Sequence, residues 1–300
     1  MSLGVAARIT LAALVTAGMA SCGDDHAVET TGPYAVGTRS VTFVDDSRPT
    51  PAFEESPPAE TRTVVTDLWY PADGDPNAAP APDAPEADGP FPVIVFNHGQ
   101  QGEPQQYTLA FDTWARAGYV VAAPRHPLSV RGGPGAQFAN DFEGELGDVA
   151  FVVDSIDDEL SDLADVDHLA VAGHSSGAIV AYGNGFNSCC HDDRIDAVLV
   201  EALLPVPLDG EFTGDDTPVM FVHGDADLAP PAVARPMFDQ AESPKYFFTV
   251  PGGDHSAVYR DGPAAPQVAA AALAFFDLHL KDRDEALDTL TAIPGVEAVP

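Results

Sequence analysis

A serine with a glycine two residues to either side, Gly173-His174-Ser175-Ser176-Gly177, is the first place in this chain where chemistry is legible. The G-x-S-x-G spacing suits a hydroxyl carried on a sharp strand-to-helix turn. The two glycines remove Cβ atoms that would clash where strand and helix crowd together. The apolar run Leu169–Ala172 precedes the pattern and Ala178-Ile179-Val180-Ala181-Tyr182 follows it, so strand, turn and helix are expected in that order. A hydroxyl presented this way is a nucleophile for acyl transfer. It needs a base, a group to orient the base, and donors for the developing oxyanion. Short Gly/Ser patterns also arise by chance, so the reading stands or falls with those partners.

The base is expected late in the chain if the order is Ser, acid, His. After the apolar run Tyr246–Val250 comes Pro251-Gly252-Gly253-Asp254-His255-Ser256, a Gly-rich loop that puts an imidazole over the turn. There are nine histidines, and position is what singles out His255. The acid is expected one strand earlier. Pro218–Val222 leads into His223-Gly224-Asp225-Ala226-Asp227-Leu228-Ala229-Pro230, where Asp225 and Asp227 both qualify. The G-x-x-D spacing with a following Pro favours Asp227. Asp225 would then turn the loop through side-chain to backbone bonds. The oxyanion donors should be backbone N–H groups: that of Ser176, and one from His98-Gly99-Gln100-Gln101-Gly102 after the run Pro92–Phe96. Gln100 is the choice for the second N–H, with Gln101 the alternative and a substrate contact. His98 and His126 read as loop structure, and His174 as packing at the turn.

These residues need a scaffold. Val36–Val44, Thr63–Trp69, Pro92–Phe96, Tyr119–Ala123, Leu169–Ala172, Ile195–Val200, Pro218–Val222 and Tyr246–Val250 are short, β-branched or aromatic runs that predict strands. Leu109–Ala117, Gly144–Leu160 and Gln267–Leu280 have helical periodicity. Alternating strands and helices predict an α/β fold. Its mainly parallel sheet of about eight strands would have helices on both faces and no large cap. Ligands in such folds bind beyond the carboxyl ends of the strands. Gln100, Ser175, Asp227 and His255 all fall just there.

Asp and Glu number 47 against 13 Lys and Arg, a net charge of −34. Such a surface repels phosphate backbones, so no nucleic-acid partner is expected. The near-absence of lysine (only Lys245 and Lys281) fits adaptation to a salty medium. Residues 1–21 read as an export signal, with Arg8 and then the apolar stretch Ile9–Ala17, which is too short to span a bilayer. Met19-Ala20-Ser21-Cys22 resembles the bacterial lipoprotein box, which implies lipidation at Cys22 and membrane contact only through that anchor. Residues 22–35 read as a tether, 36–283 as the catalytic domain and 284–300 as a loose tail. Cys189 and Cys190 are adjacent, and either a bridge or two thiols is compatible with export. With His191 they form too small a cluster to imply a metal site.

The ordered set of motifs resembles the α/β-hydrolase superfamily. Within it, the chain is similar to bacterial secreted esterases of the platelet-activating-factor acetylhydrolase, cutinase-like and dienelactone-hydrolase-related group. The matching pieces are Leu68-Trp69-Tyr70-Pro71-Ala72, Pro92–Gly99, Ala117–Pro124 and Gly147–Asp154, then the serine turn and the loops holding Asp227 and His255. The resemblance covers about residues 36–283. It implies a Ser175–Asp227–His255 triad, no cofactor and an ester substrate. The nucleophile is Ser rather than Cys, so dienelactone hydrolysis itself is not implied. Glu201–Thr217 is too short for a multi-helix cap, which predicts an open site for small-molecule, lipid-like or polymeric esters, with Leu203 and Leu204 lining the acyl side. A peptidase or acyltransferase with the same triad, or a silent binding protein on this fold, are the competing expectations. Oligomeric state is not legible.

Overall fold

Six- and seven-residue apolar runs need cover on both faces, and the chain supplies it with two helical layers. In a computed structural model, the structure describes residues 32–134, 141–205, 208–213, 216–257 and 262–299. Among the described residues ten strands form one sheet: β1 (Ala35–Asp45), β2 (Arg62–Ala72), β3 (Ala81–Pro82), β4 (Phe91–Asn97), β5 (Val120–Arg125), β6 (Ala164–His174), β7 (Ile195–Glu201), β8 (Val219–Gly224), β9 (Lys245–Val250) and β10 (Val296–Val299). Their order is β10-β9-β8-β7-β6-β4-β5-β2-β1-β3. The six from β5 to β9 in space are parallel. Toward the two edges β2 runs antiparallel to β5, β1 antiparallel to β2 and β10 antiparallel to β9, while the short β3 pairs parallel with β1. Among the described residues the sheet thus has ten strands rather than about eight, the additions being β3 and β10.

The helices are α1 (Thr108–Arg116), α2 (Phe142–Leu160), α3 (Ser176–Phe186), α4 (Arg235–Gln240), α5 (Ala265–Leu280) and α6 (Glu285–Thr291). On one face α2, α3 and α4 bury Leu146, Val153, Ile179 and Phe238 against Val171, Val198 and Phe221. On the other, α1, α5 and α6 bury Trp114, Phe276 and Leu290 against Ile94, Ala172 and Leu199. Successive side chains of a strand point to opposite faces, which is why β7 divides Val198 and Val200 from Ala197 and Leu199. The central strands are apolar throughout because both faces are covered. Trp114 also donates its indole N–H to the Ala269 carbonyl at 3.1 Å, tying α1 to α5.

From β4 the chain passes through α1 to β5 on one side, then returns through α2 to β6 on the other. The loops after β4 and β6 therefore leave the sheet in opposite directions, and a crevice opens between them. Among the described residues, none between β7 and β8 is helical, and no helix is long and apolar enough to cross a membrane.

Two boundaries need correction, and one open alternative closes. Residues 284–299 are not a loose tail. Asp284 opens α6, and β10 pairs antiparallel with β9, Val296 facing Phe248. Burial of Ala286 and Leu290 against α5 fixes them. At the other end, the tether cannot run to residue 35, because Ala35 is already in β1 and the Tyr34 N–H donates to Arg116 at 3.2 Å. Cys189 and Cys190 are joined in a disulfide, so neither offers a free thiol. Cys22 and residues 1–21 lie outside the described residues.

Candidate active site

The serine turn is built from two glycines that leave no room for anything larger. A Cβ on Gly173 would lie 2.1 Å from the Gly177 carbonyl oxygen, and one on Gly177 would lie 2.0 Å from that of Asn97. Between them Ser175 takes φ 57° and ψ −117°, a left-handed backbone that a non-glycine residue adopts only where its surroundings enforce it. Its N–H donates to the Glu201 carbonyl at 2.9 Å, which anchors the turn to the end of β7. Ser176 is the first residue of α3. Its N–H is one of those without a partner inside the helix, at the positive end of the helix dipole.

The loops after β8 and β9 converge on this hydroxyl. His255 Nε2 lies 2.9 Å from Ser175 Oγ. His255 Nδ1 lies 3.0 Å from both carboxylate oxygens of Asp227. The Asp227 side chain is fully buried, whereas the His255 side chain is a quarter exposed. The Ala229 N–H donates to Asp227 Oδ1 at 2.8 Å and fixes the carboxylate. The exposed Asp225 instead accepts the Gly252 N–H at 2.6 Å, the loop-turning role that local spacing suggested. A carboxylate that faces Nδ1 keeps the proton there and leaves Nε2 as the acceptor for a hydroxyl hydrogen. Side chains 28 and 80 positions away from His255 thus meet on one imidazole.

The loop after β4 closes over the turn. A Cβ on Gly99 would sit 3.2 Å from Ser175 Cβ and 3.0 Å from His174 Nδ1. The Gly99 carbonyl accepts from His98 Nδ1 at 2.9 Å and from the Gly102 N–H at 2.7 Å. A trans peptide is planar, so pinning that carbonyl fixes the opposite direction of the Gln100 N–H. Gln101 does not compete as a donor, since its N–H is bonded to the Ser129 carbonyl at 2.9 Å. Its side chain is exposed and its φ is 58°. Burial, with His126 adding to it, holds His98 down at about 3. It is therefore a neutral ring that donates from Nδ1 and accepts the His126 N–H at Nε2, 3.3 Å away.

Behind this loop lies a buried ionic cluster. Asp148 on α2 takes Arg62 at 2.5 and 2.8 Å, Arg48 at 3.1 Å and His126 Nδ1 at 3.0 Å. The other His126 nitrogen reaches Asn97 Oδ1 at 3.0 Å. Burial would raise the Asp148 carboxyl, but the bonds from His126 and Arg62 hold it below its ordinary value. The cluster grips Asn97, whose carbonyl abuts Gly177, so it supports both the oxyanion loop and the serine turn. Among the described residues no group of three His, Cys, Asp or Glu could hold a metal ion.

One expectation about the acyl side is corrected. Leu203 is 2% exposed and packs in the core on the α2–α3 face. Its N–H donates to His223 Nε2 at 3.2 Å, which pulls the segment after β7 inward. Leu204 is half-buried against the same core. Two residues near the site went unread in the sequence. Tyr107 reaches the turn from just before α1. Glu201, at the end of β7, is 2% exposed and sits beside His174 in register. No local pattern marks Tyr107. A Glu closing an apolar strand is the one signal that Glu201 offers.

Residues 73–218 match the chlorophyllase family. That span contains the oxyanion loop and Ser175 but stops before Asp227 and His255. No curated protein matches the chain. Among solved structures, a ferulic acid esterase from Streptomyces cinnamoneus superposes with a TM-score of 0.70 at 20% identity, over 91% of this chain and 99% of that one. With a central parallel sheet, a serine on the turn after β6, and the Asp227 and His255 loops after β8 and β9, this chain has the α/β-hydrolase fold, and what it resembles within that fold is esterases.

Proposed function

We propose that this protein is a serine hydrolase that cleaves carboxylic esters through an acyl-enzyme intermediate. The observation that carries the reading is the continuous contact from Ser175 Oγ to His255 Nε2 at 2.9 Å and from Nδ1 to Asp227 at 3.0 Å. Ser175 Oγ attacks the ester carbonyl carbon as its proton passes to His255 Nε2. The imidazolium is held by Asp227. The negative carbonyl oxygen is received by the N–H groups of Ser176 and Gln100. Collapse expels the alcohol, which takes the proton from Nε2. Water then repeats the sequence on the acyl-serine and releases the acid. No step calls for a cofactor.

The substrate class is that of small-molecule esters, extended to lipid-like or polymeric esters by the lack of helix among the described residues between β7 and β8. Chlorophyllases and a ferulic acid esterase as relatives favour an ester with at least one bulky partner. The protein acts after export, tethered through a lipid on Cys22 once residues 1–21 are removed. A Cys22→Ser variant should then lose palmitate labelling, and labelling that persists would refute the anchor. The mechanism is tested by a fluorophosphonate probe. The protein should label stoichiometrically and Ser175→Ala should neither label nor turn over p-nitrophenyl esters. A panel of matched esters and amides reads leaving-group preference, and faster amide than ester turnover would refute the esterase reading.

A further inference from the structure

We propose that His174 and Tyr107 form a strut that holds the His255 loop and the Gly99–Gln100 loop at fixed positions over Ser175, so that both are positioning residues for the reaction proposed above. The inference rests on that reaction. It adds that the residue before the nucleophile, far from simply filling space, couples the base to the oxyanion donors.

The hydrogen-bond directions are determined. His174 Nε2 lies 2.8 Å from the His255 carbonyl oxygen. A carbonyl only accepts, so Nε2 carries hydrogen. Burial, with the neighbouring His255 adding to it, holds His174 down at about 3, and the ring is neutral. A neutral ring with hydrogen on Nε2 has a bare Nδ1, which accepts from Tyr107 Oη 3.1 Å away. The Tyr107 oxygen in turn accepts the Gly99 N–H at 3.1 Å. One continuous line of donors thus runs from the peptide of Gly99, through a phenol and an imidazole, to the peptide of His255.

Its members are held from the sides. Tyr107 and His174 are 2% and 3% exposed. The Tyr107 ring packs on Phe96 at 4.5 Å and stacks on Phe111 at 5.8 Å. The His174 ring lies 4.9 Å from that of His255. Each end of the strut is the main chain of a residue next to, or part of, the reacting set. At one end the Gly99 N–H is turned inward, which helps orient the peptide that bears the Gln100 N–H. At the other, the His255 carbonyl is held, which limits how the imidazole can swing from Ser175. Misplacement of reacting groups by about an ångström costs roughly a hundredfold in rate, so a link of this kind matters to turnover more than to substrate affinity.

The test uses the full chain with p-nitrophenyl butyrate, with active sites counted by fluorophosphonate so that turnover is expressed per competent site. Tyr107→Phe removes one oxygen and breaks both Tyr107 bonds. His174→Phe removes both His174 bonds, and His174→Gln restores a donor near the Nε2 position. We expect kcat per site to fall about tenfold in Tyr107→Phe and about a hundredfold in His174→Phe, with KM within about threefold, and His174→Gln to recover part of the loss. A structural role alone would lower the number of competent sites and the Tm but leave kcat per site unchanged. If His174→Phe does not fold, Tyr107→Phe decides. Per-site kcat within twofold of wild type in the folded variants would overturn the strut while leaving the Ser175 mechanism intact. Ester turnover that survives Ser175→Ala would overturn both.

Discussion

Glu201 offers a test whose size can be worked out from the structure. It closes β7, buried beside the serine turn, and burial alone pushes its carboxyl from 4.5 up to about 8. Between those values the folded protein holds a proton that the unfolded chain has released. Below 4.5 both states are protonated and no penalty exists. Above 8 the folded state must carry a buried charge and the penalty is complete. Stability is therefore lost as pH rises through the window. At about 1.4 kcal/mol per pH unit, the full loss is on the order of 5 kcal/mol. The part that falls between pH 5.5 and 8.5 is about 3 kcal/mol on the same scale. Glu201→Gln keeps the shape and cannot ionise, so the variant escapes this slope. The assay is urea and thermal unfolding of both proteins across that pH range, well above the isoelectric point of 4.1. The other carboxylates titrate in both proteins and cancel in the difference. The gap should open in favour of the variant by about 3 kcal/mol, roughly 6–12 °C in Tm. A gap that stays constant with pH within about 1 kcal/mol would refute the claim that Glu201 is held protonated by its surroundings.

Asp227→Asn should lower kcat on the order of 10⁴-fold by disturbing the imidazole tautomer, while Asp225→Asn, confined to the turn at Gly252, should stay within about threefold; equal losses on a p-nitrophenyl ester would reverse the assignment. Asp148→Ala removes the bidentate partner of buried Arg62, leaving it only Asp141 at 2.8 Å, and should cost about 3 kcal/mol in urea unfolding, and a loss under about 1 kcal/mol would show that the cluster carries little of the fold. Gly177→Ala pushes a methyl group onto the Asn97 carbonyl and should abolish soluble expression, whereas an active, folded variant would contradict the close packing at the turn. With a net charge of −34, mutual repulsion should be screened by salt, so Tm should rise from low to molar NaCl, and a flat response would remove the reading of a salt-adapted surface.

The strands were legible because burial on both faces leaves continuous apolar runs, as in Val93–Phe96 and Val198–Val200. Their carboxyl ends were read short, since His174, Glu201 and Gly224 break the apolar pattern where the site begins. Ser175, Asp227 and His255 could be picked out because each follows a strand, and strand order in such sheets dictates which loops share a crevice. Asp227 was separable from Asp225 by spacing, and the hydrogen bonds of Gly252 and Ala229 supply the physical distinction. Leu203 misled because an apolar residue after a strand can turn either to a ligand or to the core, and only the bond from its N–H to His223 decides. Tyr107 could not be read at all, because it belongs to no motif that would announce its bond to His174, 67 positions away. Residues 284–299 looked loose because α6 buries only Ala286 and Leu290, and a four-residue strand has no identity until its neighbour is known.

That four-residue strand has a further consequence. β9 reads Lys-Tyr-Phe-Phe-Thr-Val, a segment with high sheet propensity and almost no charge. Without Val296–Val299 alongside, its row of amides and carbonyls would stand open to another copy of the same chain, the geometry from which intermolecular strand pairing starts. The residues after Gly295 act as a guard rail. Of Val296–Val299 two are exposed, one of them Glu297, paired with Arg235 at 2.6 Å. Shortening the chain before Val296 would leave Ser175 and His255 intact and yet expose the molecule to self-association.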